Sequence, residues 1–150
     1  MSDDLNYIIV PLQDEVMVRL KVRKATREDV LSTRILMKEL SSLPQMAKPS
    51  QAVFVLRNYQ SRVLLVALAA VGPDSEIGLM LDNYQRDWRK VRTSLNGNDL
   101  LDMGLQAGPQ IGILLDRLLV ARLDGEIHDD VEEQKLLKTL IETDLTGEIA

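Results

Sequence analysis

The sequence predicts an all-α protein, and three observations support that prediction. Leucine dominates the apolar residues, whereas aromatic residues make up only 3% of the chain, a balance that favours helices packing on helices. Apolar residues recur at helical spacing in most segments. Glycine and proline fall between those segments, where they end or begin helices. We expect a compact multi-helix domain of about six to seven helices, ending in a glycine-bordered helix pair and a C-terminal helix.

Composition limits the kinds of protein that this chain can be. Its 150 residues suit one domain with a proper core, and 45% of them are hydrophobic, as in a folded globular protein. The chain has no cysteine, which excludes disulfides and thiolate catalysis. Neither a signal peptide nor an apolar run long enough to span a bilayer is visible. We therefore expect a soluble, cytoplasmic protein without membrane contact.

The net charge of −5 conceals an uneven distribution. Residues 19–122 carry 16 bases and 10 acids, whereas residues 123–150 carry nine acids and two lysines. A basic middle followed by an acidic end is a more informative observation than the total charge.

The N-terminal segment, residues 1–25, is difficult to assign. A helix could begin at Asp3 or at Pro11. Residues 17–24 alternate between apolar and basic side chains, but a single strand without a partner is unstable. We expect them to form the end of a helix or an extended linker.

Three helices are predicted before residue 72. Thr26 should cap a helix that stops before Pro44. Ser50 should cap the next helix. Residues 61–71 are apolar all round after their arginine, which predicts a central, buried helix that ends at Gly72.

The clearest amphipathic pattern begins at Asp74 or Ser75, either of which could cap the helix. Its apolar stripe predicts one continuous helix up to Asn96, with the core positions Ile77, Leu81, Tyr84, Trp88, Val91 and Leu95. The opposite edge carries the bases Arg86, Arg89 and Lys90, with a fourth base, Arg92, nearby.

These four bases have two interpretations. They could bind a phosphate backbone. They could instead form a solvated helix face that pairs with Asp82 or Asp87, and charge alone favours this second interpretation. Trp88 lies on the core stripe, so we expect it to pack rather than to stack on a base.

Five of the eight glycines lie between residues 97 and 125. Asn98 or Asp99 should cap a short helix that Gly104 ends. A longer helix should begin at Pro109 and be closed by Gly125, with an apolar face formed by Ile111, Leu114, Leu115, Leu118 and Leu119.

Gly108 and Gly112 border the start of that longer helix. Free N–H groups at such a start could contact a phosphate. Close packing of helices explains both glycines better, because most glycine-flanked helix starts bind nothing.

A last helix should begin at Asp129 or Asp130 and pack through an apolar face formed by Leu136, Leu137, Leu140 and Ile141, and residues 143–150 should be frayed. We divide the chain into an N-terminal segment (1–25), a helical bundle (26–95), a C-terminal motif (96–142) and the frayed terminus (143–150). Residues 26–142 are expected to form one structural unit.

No catalytic centre and no metal site are predicted. His128 is the one histidine of the chain, and a single histidine beside a helix start is more often a turn residue than a catalyst. The carboxylates at Asp129, Asp130, Glu132 and Glu133 are better explained as acids that favour a helix start than as metal ligands.

Three elements in fixed order carry a resemblance to a known family: Gly97-Asn98-Asp99-Leu100, Gly108-Pro109-Gln110-Ile111-Gly112 and Leu123-Asp124-Gly125-Glu126-Ile127. Together they resemble the C-terminal region of bacterial tRNA nucleotidyltransferases and poly(A) polymerases. The resemblance extends over about residues 19–142 and is strongest after Tyr84. Asn98 departs from the family, which often has an acidic or small residue there, whereas Asp99 keeps the acidic position.

The resemblance implies a non-catalytic helical arm and tail of a CCA- or A-adding enzyme. In that family an N-terminal head holds the catalytic carboxylates and binds ATP or CTP with Mg²⁺, and this chain lacks the head's pattern. The implied partners are tRNA or another RNA 3′ region and the head and neck of the same family, and no cofactor is implied for this chain itself. As part of a parent protein it would serve an enzyme that adds AMP or CMP to RNA 3′ ends.

Two other kinds of protein stay open. One is a protein-interaction or oligomerisation module, such as the subunit of a homo-oligomer, that makes no direct RNA contact. The other is a helix-hairpin-helix DNA-binding protein, indicated by the Gly-x-x-x-Gly pattern at 108–112 and disfavoured because only Arg117 and Arg122 follow it.

Overall fold

A computed structural model describes residues 16–21, 23–44 and 47–145, with the backbone alone at 144 and 145. Over these residues the chain is all-helical and has no strand, which confirms the predicted fold class. The helices are α1 (Lys24–Ser41), α2 (Pro49–Leu56), α3 (Ser61–Val71), α4 (Glu76–Arg86), α5 (Gly97–Asp102), α6 (Pro109–Leu123) and α7 (Asp130–Leu145). A 3₁₀ turn spans Trp88–Lys90, and residues 16–19 form a helical turn.

Parts of two predictions lie outside the described residues: the helix start at Asp3 or Pro11, and the frayed end at 146–150. Residues 143–145, which we expected to be frayed, continue α7. The described residues divide into two compact units: those up to residue 43 together with 55–82, and those of 44–54 together with residue 83 onward. The four proposed segments of the chain stay a prediction.

The first unit is built on the packing of α1 against α3. Leu36 and Leu40 of α1 are buried, as are Val63, Leu64 and Ala67 of α3. An ion pair joins Arg62 Nε to Asp29 Oδ1 at 2.7 Å.

The first unit also contains a tyrosine with a perturbed pKa. Tyr59 donates its hydroxyl to Glu39 Oε2 at 3.0 Å. Burial and this carboxylate together raise the pKa of Tyr59 to about 12.

Two predictions for this unit are wrong. We expected α3 to be buried all round, but Leu65 and Val66 are 58% and 46% exposed. A helix that packs along one face buries only the residues of that face, which here are Val63, Leu64 and Ala67. Thr26 does not cap α1, because the helix already begins at Lys24, after Arg23.

The junction between α3 and α4 behaves as predicted. Gly72 has φ +81° and ends α3 in the left-handed region. Ser75 caps α4, since its hydroxyl oxygen accepts the N–H of Gly78 at 2.9 Å. A Cβ on Gly78 would lie 2.0 Å from the carbonyl oxygen of Gly72, so this position requires glycine.

The core of the second unit lies where α5, α6 and α7 meet. Its buried residues are Leu95, Leu100, Leu114, Leu118 and Leu137. Partly buried leucines and isoleucines pack around them, including the predicted Ile111, Leu115, Leu136, Leu140 and Ile141. The apolar faces predicted for α6 and α7 are therefore confirmed.

The helices of this unit end at the predicted glycines. Gly104 ends α5 at φ +93°, and Gly125 follows α6 at φ +73°. Each ends its helix in the same way: the residue after the glycine donates its N–H five residues back, Leu105 to Leu100 and Glu126 to Ala121. The cap of α5 is Asn96, however, rather than Asn98 or Asp99, because Asn96 and Asp99 form a reciprocal capping box.

Candidate nucleic-acid interface

The predicted basic residues lie on a turn rather than on one helix face. Helix α4 ends at Arg86, Asp87 leaves the helical region (φ −125°, ψ −57°), and Trp88–Lys90 forms a 3₁₀ turn. Val91 is extended. The prediction of a continuous helix up to Asn96 is therefore wrong, and with it the helical spacing of the bases. We call residues 86–92 the basic turn.

Two arginines of the basic turn are held by hydrogen bonds. Arg89 Nη1 donates to Gln85 Oε1 at 2.6 Å. Arg92 Nη1 donates to the carbonyl oxygens of Arg89 at 2.8 Å and Val91 at 2.7 Å. These bonds hold each arginine side chain in place. Because a guanidinium has five N–H donors, each arginine still has donors for another partner.

The other two bases of the turn differ in their neighbours. Arg86 Nε lies 3.9 Å from Asp87 Oδ2, so a carboxylate partly offsets its charge. Lys90 is exposed, and its side-chain ammonium makes no hydrogen bond or ion pair with another described residue. The strongest cationic set is therefore Arg89, Lys90 and Arg92. Trp88 beside them is half-buried.

A buried glutamate holds the chain that follows the basic turn. The side chain of Glu133, in α7, is 0% exposed. Its carboxylate accepts the backbone N–H of Leu95 at 3.0 Å, and the N–H and hydroxyl of Ser94 at 3.3 and 3.1 Å. These bonds are made by residues 94 and 95 outside any helix, between Val91 and Asn96, which are both extended.

Arg122 supplies the counter-charge for this carboxylate. Its Nε donates to Glu133, and its Nη2 donates to Asp130 Oδ1 at 2.6 Å. Together Glu133, Arg122, Asp130, Ser94 and Leu95 form what we call the Glu133 cluster. Because Arg122 is engaged inside the protein, it is unsuited to contact nucleic acid. This counts against the helix-hairpin-helix interpretation.

The pKa shifts of the cluster follow from its hydrogen bonds. Burial raises the pKa of Glu133, but the bonds from Leu95, Arg122 and Ser94 outweigh burial, and the pKa lies below its ordinary value. The bond from Arg122 lowers the pKa of Asp130, and Ser94 adds to that effect. The bond to Asp130 raises the pKa of Arg122, although burial opposes it. All three groups are therefore charged at neutral pH.

Sequence reasoning assigned Glu133 to the helix start and missed its buried role. A signal was present, because Glu133 precedes Leu137, Leu140 and Ile141 at i+4, i+7 and i+8. This spacing places the carboxylate on the apolar face of α7. A charge on such a face needs partners.

A second buried carboxylate links the Leu123-Asp124-Gly125-Glu126-Ile127 segment to α2. Asp124, with a side chain 3% exposed, accepts the N–H and the hydroxyl of Ser50, both at 2.9 Å. Lys48 Nζ lies 3.3 Å from Glu126 Oε1 and 3.7 Å from Asp124 Oδ2. We call these four residues the Asp124 latch. Ser50 is thus inside the first turn of α2 and is not its cap, a correction to the prediction.

Gly108 and Gly112 are exposed, and a Cβ on either would meet no atom within 4 Å. The preferred explanation, close packing against another helix, is therefore wrong for the described residues. Phosphate contact at these two glycines stays a prediction.

Among the described residues, no group of three or more histidine, aspartate or glutamate side chains could hold a metal ion. No described helix has the length and apolarity needed to cross a membrane. His128 is exposed and donates its backbone N–H to Glu132 Oε2 at 2.7 Å.

Comparison with known proteins relates the chain to tRNA nucleotidyltransferases. It is similar to the A-adding tRNA nucleotidyltransferase of Geobacter sulfurreducens, with 28% identity over 132 residues. The similarity covers 83% of this chain and 15% of that relative, so the chain spans a small part of the relative's length. No family profile and no solved structure matches the chain.

Proposed function

We propose that this chain is a tRNA-binding and positioning portion of a tRNA 3′-end nucleotidyltransferase. The observation that carries the proposal is the similarity to the A-adding enzyme along 83% of the chain. The catalytic carboxylates, nucleotide and Mg²⁺ of such an enzyme would belong to residues outside the matched stretch. The chain itself would bind RNA and set its position relative to that chemistry.

The basic turn is the proposed contact surface. Arg89 and Arg92 are oriented by hydrogen bonds before any partner arrives, which reduces the entropy lost on binding. Arginine matches phosphate geometry through paired N–H donors, and lysine binds phosphate as a point charge. Contacts of this type position a nucleic-acid backbone without reading its sequence.

One observation favours the alternative, a protein-interaction module. Leu101, Met103 and Ile113 of the second unit are 40%, 54% and 61% exposed. Exposed aliphatic side chains are common singly, so these three support the alternative less strongly than the similarity supports RNA binding.

The test compares two variants of equal charge. In the first, Arg89, Lys90 and Arg92 are all changed to Gln. In the control, Arg117, Lys135 and Lys138, three exposed bases of the same unit, are changed to Gln. Affinity for a tRNA is measured by fluorescence anisotropy at several salt concentrations.

Each phosphate contact contributes about 0.7–0.9 to the slope of log affinity against log salt. We expect the first variant to lose about two units of slope and the control to keep the slope of the natural sequence. Equal slopes in both variants would refute the basic turn as the contact surface. Self-association in sedimentation, without tRNA binding, would favour the alternative.

A further inference from the structure

The feature that carries a further inference is the connection between the basic turn and the Glu133 cluster. Only Thr93 separates Arg92 from Ser94, whose N–H and hydroxyl both bind Glu133. An extended residue spans at most about 3.6 Å. Fixing Ser94 and Leu95 therefore restricts where Arg92 can lie, and through the bonds from Arg92 to the carbonyls of Arg89 and Val91 it restricts the 3₁₀ turn.

The other end of the basic turn has a different support. Helix α4 leads into it, and Gln85 near the end of that helix binds Arg89. The chain between the two supports has no regular helix apart from Trp88–Lys90. Without the Glu133 bonds, residues 91–95 would be fixed by the burial of Leu95 and by the bond from the Thr93 hydroxyl to the Leu95 carbonyl at 2.8 Å.

The chemistry of Glu133 also fits a positioning role. A carboxylate buried in a core is costly, and an apolar residue would pack there without that cost. Here the carboxylate accepts the backbone N–H groups of Ser94 and Leu95, which lie outside the helices and so have no helical acceptor. Arg122 neutralises the carboxylate from a side chain only 18% exposed.

We infer that Glu133 is a positioning residue for RNA binding, which fixes the basic turn through Ser94 and Leu95 and itself touches no RNA. The inference rests on the proposed function. Its consequence is counter-intuitive, because removing this negative charge should weaken the binding of a polyanion. Simple electrostatics predicts the opposite, since the variant gains one unit of positive net charge.

The experiment compares E133Q with E142Q in the full chain. Glu142 is an exposed acid on the same helix, so both variants change the net charge equally. We expect E142Q to bind tRNA as tightly as the natural sequence or slightly more tightly. E133Q should bind about tenfold more weakly, with a salt slope lower by about one unit, the contribution of one phosphate contact.

A double-mutant cycle of tRNA affinities distinguishes a positioning role of Glu133 from a general loss of structure. E133Q is combined with the triple change at Arg89, Lys90 and Arg92. Positioning requires that E133Q add no further loss once those bases are gone. Additive losses in folded proteins would overturn the inference, as would E133Q binding like E142Q.

If E133Q does not fold, S94A provides the second variant, because it removes the hydroxyl bond of 3.1 Å to Glu133 and leaves the two backbone N–H bonds to Glu133 in place. A two- to threefold weakening is expected from S94A, and unchanged binding would overturn the inference. Failure of the natural sequence to bind tRNA would refute the proposed function instead, and the inference with it.

Discussion

Replacing Glu133 by Gln tests the structural side of the Glu133 cluster. Gln has nearly the same shape but lacks the charge, and its amide NH₂ faces groups that also donate. Glu133 accepts bonds from Ser94 N–H, Ser94 Oγ, Leu95 N–H and Arg122. Removing one partner of a buried ion pair costs about 3–5 kcal/mol, and hydrogen bonds to charged groups contribute about 1.5–3 kcal/mol each.

We expect E133Q to lower the free energy of unfolding by about 3 kcal/mol. This is the lower end of the range, because Gln keeps one acceptor oxygen and Asp130 still pairs with Arg122. For a chain of this size that corresponds to a fall in Tm of about 6–12 °C. Calorimetry at pH 7 measures it, with E142Q as the control that should unfold near the natural Tm. A fall of less than about 1 °C in E133Q would refute the assignment of the cluster.

The same variant has a predicted pH dependence. Because the folded pKa of Glu133 lies below its ordinary value of 4.5, its contribution is complete above that value and is lost as pH falls through the folded pKa. The difference in unfolding free energy between the natural sequence and E133Q should therefore shrink below about pH 4.5. A difference that stays constant down to pH 3 would contradict the shift.

Three further substitutions test other local features by thermal unfolding. D124A should lose about 2 kcal/mol of unfolding free energy, because it leaves the Ser50 N–H and hydroxyl without their acceptor. An unchanged Tm would contradict a stabilising role for the Asp124 latch. G104A should lose about 1–2 kcal/mol, since Gly104 has φ +93°. G112A should gain about 0.5–1 kcal/mol, since Gly112 lies in an exposed helical turn with open space at its Cβ. Loss of stability in G112A would restore the packing explanation.

Local signals account for the parts of the fold that the sequence predicted. Helix stops at Gly72, Gly104 and Gly125 depend on a residue that adopts the left-handed region without strain. The apolar faces of α6 and α7 depend on spacing within one helix. Both kinds of signal can be read without knowing which segments meet.

Long-range contacts account for two of the errors. The stripe that includes Leu95 predicted a continuous helix, and Leu95 is indeed buried. It reaches the core from a segment outside the helices, however, and its N–H binds Glu133, 38 residues away. The prediction that Ser50 caps a helix is wrong for a similar reason. Its N–H and hydroxyl bind Asp124, which lies 74 residues away and cannot be identified from the neighbouring sequence. No local pattern indicates such pairings.

For the candidate interface, the sequence indicated the basic residues but not their arrangement in space. The sequence indicated which bases cluster, whereas only the structure places Arg89 and Arg92 in a hydrogen-bonded turn. The helical face predicted for them would have given a different spacing of charges.

Titration of tRNA into the natural chain across a range of salt concentrations tests the central claim most directly. Binding through Arg89, Lys90 and Arg92, with a smaller part from Arg86, predicts a log–log slope of about −2 to −3. The affinity should therefore fall steeply as salt rises. A flat response, or no binding at low salt, would contradict the proposal that this chain holds RNA.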